Sequence, residues 1–215
     1  MEGRLYEKKG NPFGLSLRSG VILFVLISFF GWCFEKLGRY LLYNSTDDRG
    51  FLTLPLCPIY GVCILLIGLL LGSPTAPARP TEPLFRFFYR LPRFLSLTIR
   101  FTIYFIAVTL LSTAVELVVG LAFRAVGIPL WNYSERPGNL FGVICPGYSL
   151  LWGVLITSVM TLLWAPLCRL IGRIPQRVQG ILAVTFCALI LSDLLFNCVF
   201  VILTGQRFFF LTISG

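Results

Sequence analysis

The chain has no histidine, and only 13% of its 215 residues are charged. A soluble domain of this size carries about 25% charged residues, so an ordinary water-facing surface is excluded. Without imidazole the commonest general base is missing, and no nucleophile–base pair stands out in its place. The seven cysteines include no C-x-x-C pair, which removes a zinc ribbon or a thioredoxin-like motif. No G-x-x-x-x-G-K-[ST] loop occurs, so the chain has no P-loop with which to hydrolyse ATP. No G-x-S-x-G, H-E-x-x-H or kinase signature occurs either. Alternating ten-residue strands are absent as well, which excludes a membrane β-barrel.

What is abundant is apolar helix. Hydrophobic residues make up 57% of the chain, and the mean hydropathy is +0.86. Five apolar runs cover residues 20–43, 52–72, 97–124, 139–165 and 178–204. Each is long enough to cross a hydrocarbon core of ~30 Å at ~1.5 Å per residue. The expected fold is therefore all-α: a polytopic helical membrane protein of one domain with about five transmembrane helices. The first 19 residues are polar, and the run after them is long and holds a glutamate, so it reads as a retained span and not a signal peptide.

The basic residues report topology and not nucleic-acid binding. Eleven of them flank one set of span ends: Arg4, Lys8, Lys9, Arg18, Arg79, Arg86, Arg90, Arg93, Arg169, Arg173 and Arg177. Six lie on the other side: Lys36, Arg39, Arg49, Arg124, Arg136 and Arg207. The positive-inside rule then places the N-terminus in the cytoplasm and the C-terminus outside. Arg100, near the inner end of the third span, is expected to snorkel to the interface. Residues 73–83 are Pro-rich and read as an extended cytoplasmic linker. Arg86, Arg90 and Arg93 follow at helical spacing among aromatics, which suggests a short helix in the inner headgroup layer, whether a plain topology anchor or a contact with anionic lipid.

One pattern occurs twice. Arg49-Gly-Phe-Leu-Thr-Leu-Pro-Leu-Cys57-Pro-Ile-Tyr60 returns in altered form as Gly138-Asn139-Leu-Phe-Gly-Val-Ile-Cys145-Pro-Gly-Tyr148. Each copy opens an apolar run, and each is preceded one helix earlier by a lone acid, Glu35 or Glu116. This predicts a duplicated two-helix hairpin over about 20–72 and 97–165, with the span 178–204 outside the repeat. Cys57 and Cys145 are equivalent in the repeat, which leaves a disulfide open beside the alternative that they pack at helix ends.

Intramembrane acids cost roughly 2.5–3.5 kcal/mol on insertion scales and mark function by default. Glu35 shares a helix face with Ser28, Gly31 and Gly38; Glu116 shares one with Thr109, Ser112 and Gly120. Small and hydroxyl residues suit a helix contact, so both faces belong inside the bundle. Glu35, Glu116 and Asp193 each lie 15 positions beyond Gly20, Phe101 and Val178, which is roughly 22 Å of helix. The three acids are expected to form one ring open to the outside. Arg39 stands four residues after Glu35, and Arg49 and Arg136 lie in the outer loops, placed to neutralise or gate the acids. Tyr60 and Tyr148 either donate hydrogen bonds into the cavity or anchor at the interface. Trp131 and Tyr133 fit the interfacial aromatic belt, and Trp152 reads as packing. The alternative to a ligand cavity is an internal polar network that fixes helix register.

These motifs resemble the putative ABC-transporter type IV permease family. The first half carries Gly31-Trp32-x-x-Glu35, Arg49-Gly-Phe-Leu52 and Cys57-Pro-Ile-Tyr-Gly61. The second carries Glu116, Trp131-x-Tyr133-Ser134, Asn139, Gly142, Ile144-Cys145 and Ser149-Leu-x-Trp152-Gly153. Asp48 and Asn132 stand where the family has Asn and Asp. The resemblance implies a bacterial inner-membrane permease component that binds a polar solute or lipid headgroup and needs no cofactor. Its partners would be the bilayer and a separate cytoplasmic ATPase subunit, with no nucleic acid. A membrane enzyme acting on a lipid or isoprenoid headgroup, or a non-catalytic assembly or sensor partner, are the other classes compatible with the residues.

Overall fold

A computed structural model describes residues 16–44, 50–78 and 80–208. Its elements are α1 (Leu17–Tyr43), α2 (Pro58–Leu70), α3 (Glu82–Phe88), α4 (Arg93–Ala125), α5 (Pro146–Leu162), α6 (Trp164–Gly172) and α7 (Gln176–Thr204). No strand occurs among the described residues; isolated bridges join Gly72 to Pro77 and Leu140 to Ile144. The fold is thus all-helical.

Local chemistry sets the ends. Ser16 caps α1 by accepting from the Ser19 backbone N–H at 3.1 Å, and Asn44 closes it in the left-handed region at φ 48°. Gly205 closes α7 in the same region at φ 68°. α2 and α5 each begin at a proline that follows a cysteine, Cys57-Pro58 and Cys145-Pro146. A proline there gives up an N–H that the first turn leaves unpaired anyway.

α1, α4 and α7 are long and apolar enough to cross a membrane. α5 and α6 meet at a 47° bend and pass the same test only as a pair, a fourth crossing. α2 has 13 residues, about 20 Å of helix, because residues 51–57 of the expected second span are irregular chain. That segment is tied down: the Cys57 N–H donates to the Ser28 carbonyl at 2.9 Å and the Leu54 N–H to Asp193 Oδ2 at 3.1 Å.

α1 packs on α2, and α4 on α5; α2 also meets α4 and α5. α6 lies against α1 and α5, whereas α7 packs mainly on α1 and meets the end of α6 through Gln179. The α1–α2 approach is close because Gly61 lies against α1: a Cβ there would fall 2.8 Å from the Phe24 carbonyl. The core gathers Leu23, Ile67, Tyr104, Val108, Met160, Trp164 and Ile171. The outward faces of α4 and α7 remain apolar, with Leu110, Val118, Ile181, Leu195 and Ile202 among the exposed side chains.

Three expectations for the basic end are corrected. The 73–78 stretch is not extended but folds into turns, with Ala76 N–H bonded to Ser73 Oγ at 3.0 Å and Ala78 wholly buried. Arg100 does not snorkel. It is 5% exposed, donates through Nη2 to the Pro74 carbonyl and lies 4.3 Å above the Tyr89 ring. Tyr104 donates to the Gly72 carbonyl at 2.7 Å beside it. The turn offers unpaired carbonyls, and those draw the guanidinium inward. A short helix does follow the linker as α3, where Arg86 pairs with Glu82 at 2.9 Å, but it ends at Phe88: Arg90 lies in the turn after it and Arg93 opens α4, so the three arginines do not share one helix.

Candidate functional site

α4 shows how a polar stripe reaches the interior. Its buried residues are Ser96, Arg100, Tyr104, Val108, Ser112, Glu116 and Gly120, every fourth position. Such a row slants across the helix by about 26°, so its two halves meet different neighbours. The lower half meets the 72–74 turn. The upper half lines a cavity of about 430 Å³, within the ~300–1,000 Å³ of small-molecule sites.

The cavity is walled by α1, α2, α4, α5 and α7, by the irregular segment through Phe51 and Leu52, and by the loop after α4 through Leu130, Trp131 and Tyr133. Almost all of its surface is apolar. Two carboxyl groups break that surface. Tyr60 donates its hydroxyl to Glu35 Oε1 at 2.7 Å. Tyr133 interacts electrostatically with Glu116. Glu116 is 7% exposed, and its second oxygen, Oε2, has no hydrogen-bond partner among the described residues. Leaving an acceptor unpaired away from water costs about 1–3 kcal/mol. Trp152 stands edge-on to Tyr60, with ring centres 5.3 Å apart, and holds the phenol in place.

The remaining expected residues divide. Glu35, Tyr60 and Glu116 line the cavity together. Asp193 does not, and the ring of three acids is a pair. Asp193 instead accepts the Leu54 N–H and the Asn197 side-chain amide at 3.2 Å, holding the irregular segment to α7. Asn139 also lies off the cavity. Its side-chain amide donates to the Ser134 and Arg136 carbonyls, and its oxygen accepts from Gly142, which fastens the loop. Tyr148 packs at a tilt on Tyr133 with ring centres 5.1 Å apart and so backs the cavity wall. Arg39 and Arg136 are not among the lining residues, and Arg49 lies outside the described residues. Cys57 and Cys145 are free thiols, each preceding a helix-opening proline, so no bond joins them.

Trp131, Tyr133 and Trp152 are the lining residues that periodicity assigns elsewhere. Their signal in the sequence is ambiguous, since an aromatic at a membrane edge serves as belt or as wall. The loop chemistry resolves it. Trp131 Nε1 donates to the Val143 carbonyl at 2.9 Å, and the Tyr133 N–H donates to the Gly142 carbonyl at 2.7 Å. Phe141 and Gly142, at φ 54° and 67°, make the left-handed turn that folds the loop back, and Arg124 donates to the Phe141 carbonyl. Among the described residues no group of three or more Cys, Asp or Glu is arranged to hold a metal ion.

A family model described as Putative ABC-transporter type IV matches residues 22–198. No curated protein and no solved structure matches the chain. The match spans most of the sequence, from within α1 to within α7, so the chain belongs to that family and is a membrane protein of ABC-transporter type.

Proposed function

We propose that this protein is the membrane component of a transporter and that the cavity beside Glu35 and Glu116 is its ligand site. The observation that carries this reading is the unpaired Glu116 Oε2, buried and bordering a cavity of about 430 Å³. A register-fixing polar network would consume that acceptor internally. A ligand bearing a positive charge or an N–H donor would satisfy it, with Glu35 as the second acceptor.

The orientation follows from charge. Arg18, Arg86, Arg90, Arg93, Arg169, Arg173 and Arg177 gather at the helix ends opposite the 126–145 loop, which favours a cytoplasmic position for that end. The cavity then faces the outer side. Five crossings result if residues 51–57 complete the short second span, and the two Cys-Pro helix starts support a duplicated hairpin. Such irregular chain at membrane depth is tolerated where it lines a cavity, as Phe51 and Leu52 do. No P-loop occurs in the sequence, so ATP-driven transport would need a separate ATPase subunit on the basic face.

Matched ions of opposite charge test the site. In phosphatidylcholine nanodiscs, tetraphenylphosphonium should bind saturably, and tetraphenylborate, equal in shape, should not. Glu116→Gln should weaken cation binding at least tenfold while leaving membrane insertion intact. Equal binding of the two ions, or an unchanged affinity in Glu116→Gln, overturns the reading.

A further inference from the structure

The cavity is lined by two acids and by no basic residue. Glu35 and Glu116 both border it, and among the described residues no lysine or arginine does. Arg39 stands one turn beyond Glu35, off the lining. The other titratable groups facing Glu116 are Tyr60 and Cys63 of α2, Cys57 just before that helix, and Tyr133 of the loop. Phenols and thiols carry no positive charge in either protonation state, and α5 and α7 bring no titratable side chain to the wall. Glu35 and Glu116 interact electrostatically across this space. Two carboxylates that share an apolar cavity repel one another and lose hydration, so holding both charges at once is costly. One proton held between them removes that cost.

The two acids differ in what meets them. Glu35 is half-buried and accepts the Tyr60 hydroxyl at 2.7 Å, a donor that suits an ionised oxygen. Glu116 is buried, and its Oε2 has no partner among the described residues. An unpartnered neutral carboxyl is tolerated in an apolar site far better than a bare carboxylate, so the proton belongs on Glu116. We propose that Glu116 holds a proton until a cation binds, and that the cation takes its place one for one. The O–H bond breaks, its electron pair stays on Oε2, and the proton leaves to bulk water as the cation settles against the carboxylate. This rests on the reading that Glu116 is a ligand group, and it adds a second ligand and the coupling between the two. A monovalent cation and a proton carry the same charge, so the total within the walls is unchanged by the exchange. Neither state then holds two uncompensated carboxylates. The coupling is reciprocal: acid weakens cation binding, and the cation expels the proton.

Tetraphenylphosphonium is the probe, with the whole chain in phosphatidylcholine nanodiscs and protein-free nanodiscs as the reference. In weakly buffered solution a pH-indicating dye should report proton release on binding, approaching about one proton per cation on the acid side. Kd should rise as pH falls, towards about tenfold per pH unit, the limit for competition by one proton. Glu116→Gln, titrated until its site is filled, should release no proton, and its weaker affinity should no longer follow pH. Glu116→Asp keeps a carboxyl and should keep the release. Saturable binding with a single affinity from about pH 5 to about pH 8 and no proton release overturns the exchange and leaves the cation site standing. No saturable binding at any pH in that range overturns both readings. Release that persists in Glu116→Gln assigns the proton to another group and overturns the role of Glu116.

Discussion

Arg100 shows most sharply what a single side chain decides here. A guanidinium at the edge of an apolar run is expected to reach for water, but this one turns inward because the 73–78 turn presents a carbonyl that only a donor can satisfy. Its Nη2 bonds the Pro74 carbonyl and its plane lies over Tyr89. Those contacts are worth roughly 1–3 kcal/mol for the carbonyl that would be left unpaired and about 0.5–2 kcal/mol for the ring contact. Arg100→Ala should therefore lower the thermal midpoint of the purified protein by several degrees. Arg100→Lys should restore little, since an ammonium lacks the planar face that lies over Tyr89. A lysine variant as stable as the parent would show that charge alone holds the turn. Nothing in the local sequence separates the inward from the outward choice, because the partner is a backbone carbonyl 26 residues away. Glu116 is the contrasting case. Its neighbours at four-residue spacing already mark its face as internal, and the structure buries that face along the whole of α4.

At the scale of elements, the long helices are legible in the sequence and the bounds of the short ones are not. α1, α4 and α7 announce themselves by apolar length, and their caps fall where Ser16, Asn44 and Gly205 stand. The second span reads as continuous because residues 51–57 are as apolar as helix. Their irregular course depends on partners remote in sequence, the Ser28 carbonyl and Asp193. The same reason explains Asp193. Depth matches it to Glu35 and Glu116, but a backbone N–H from the irregular segment claims its carboxylate. α7 is likewise held by remote polar contacts at both ends. At its lower end Ser19 donates to Gln179 at 2.8 Å, and the Gln179 amide donates to the Ile171 and Ile174 carbonyls at 3.1 and 2.8 Å. This clasp joins α1, the end of α6 and the start of α7. Gln179→Ala leaves the half-buried Ile174 carbonyl without its side-chain donor and the Ile171 carbonyl with backbone donors alone, at a cost of about 1–3 kcal/mol. Hydrogen exchange over residues 176–182 should accelerate at least tenfold, while exchange in α4 stays unchanged. Equal protection in the variant would show that apolar packing on α1 suffices.

For the whole molecule, the arrangement of charge and that of polarity agree on one direction. One end of the bundle carries the arginine-rich turns, α3 and the buried Arg100. The other carries the aromatic loop and the mouth of the acidic cavity. The usual inward bias for basic loops supports the proposed orientation, with the cavity toward the outside. The consequence is checkable with a membrane-impermeant maleimide. Glu135→Cys, in the exposed loop after α4, should react in intact cells. Arg86→Cys, on the exposed face of α3, should react only after the membrane is opened. The native thiols at 63, 145 and 168 are buried and should contribute little background. The reverse pattern would put the cavity mouth in the cytoplasm. The basic turns would then lose the role proposed for them as the face on which a cytoplasmic ATPase acts.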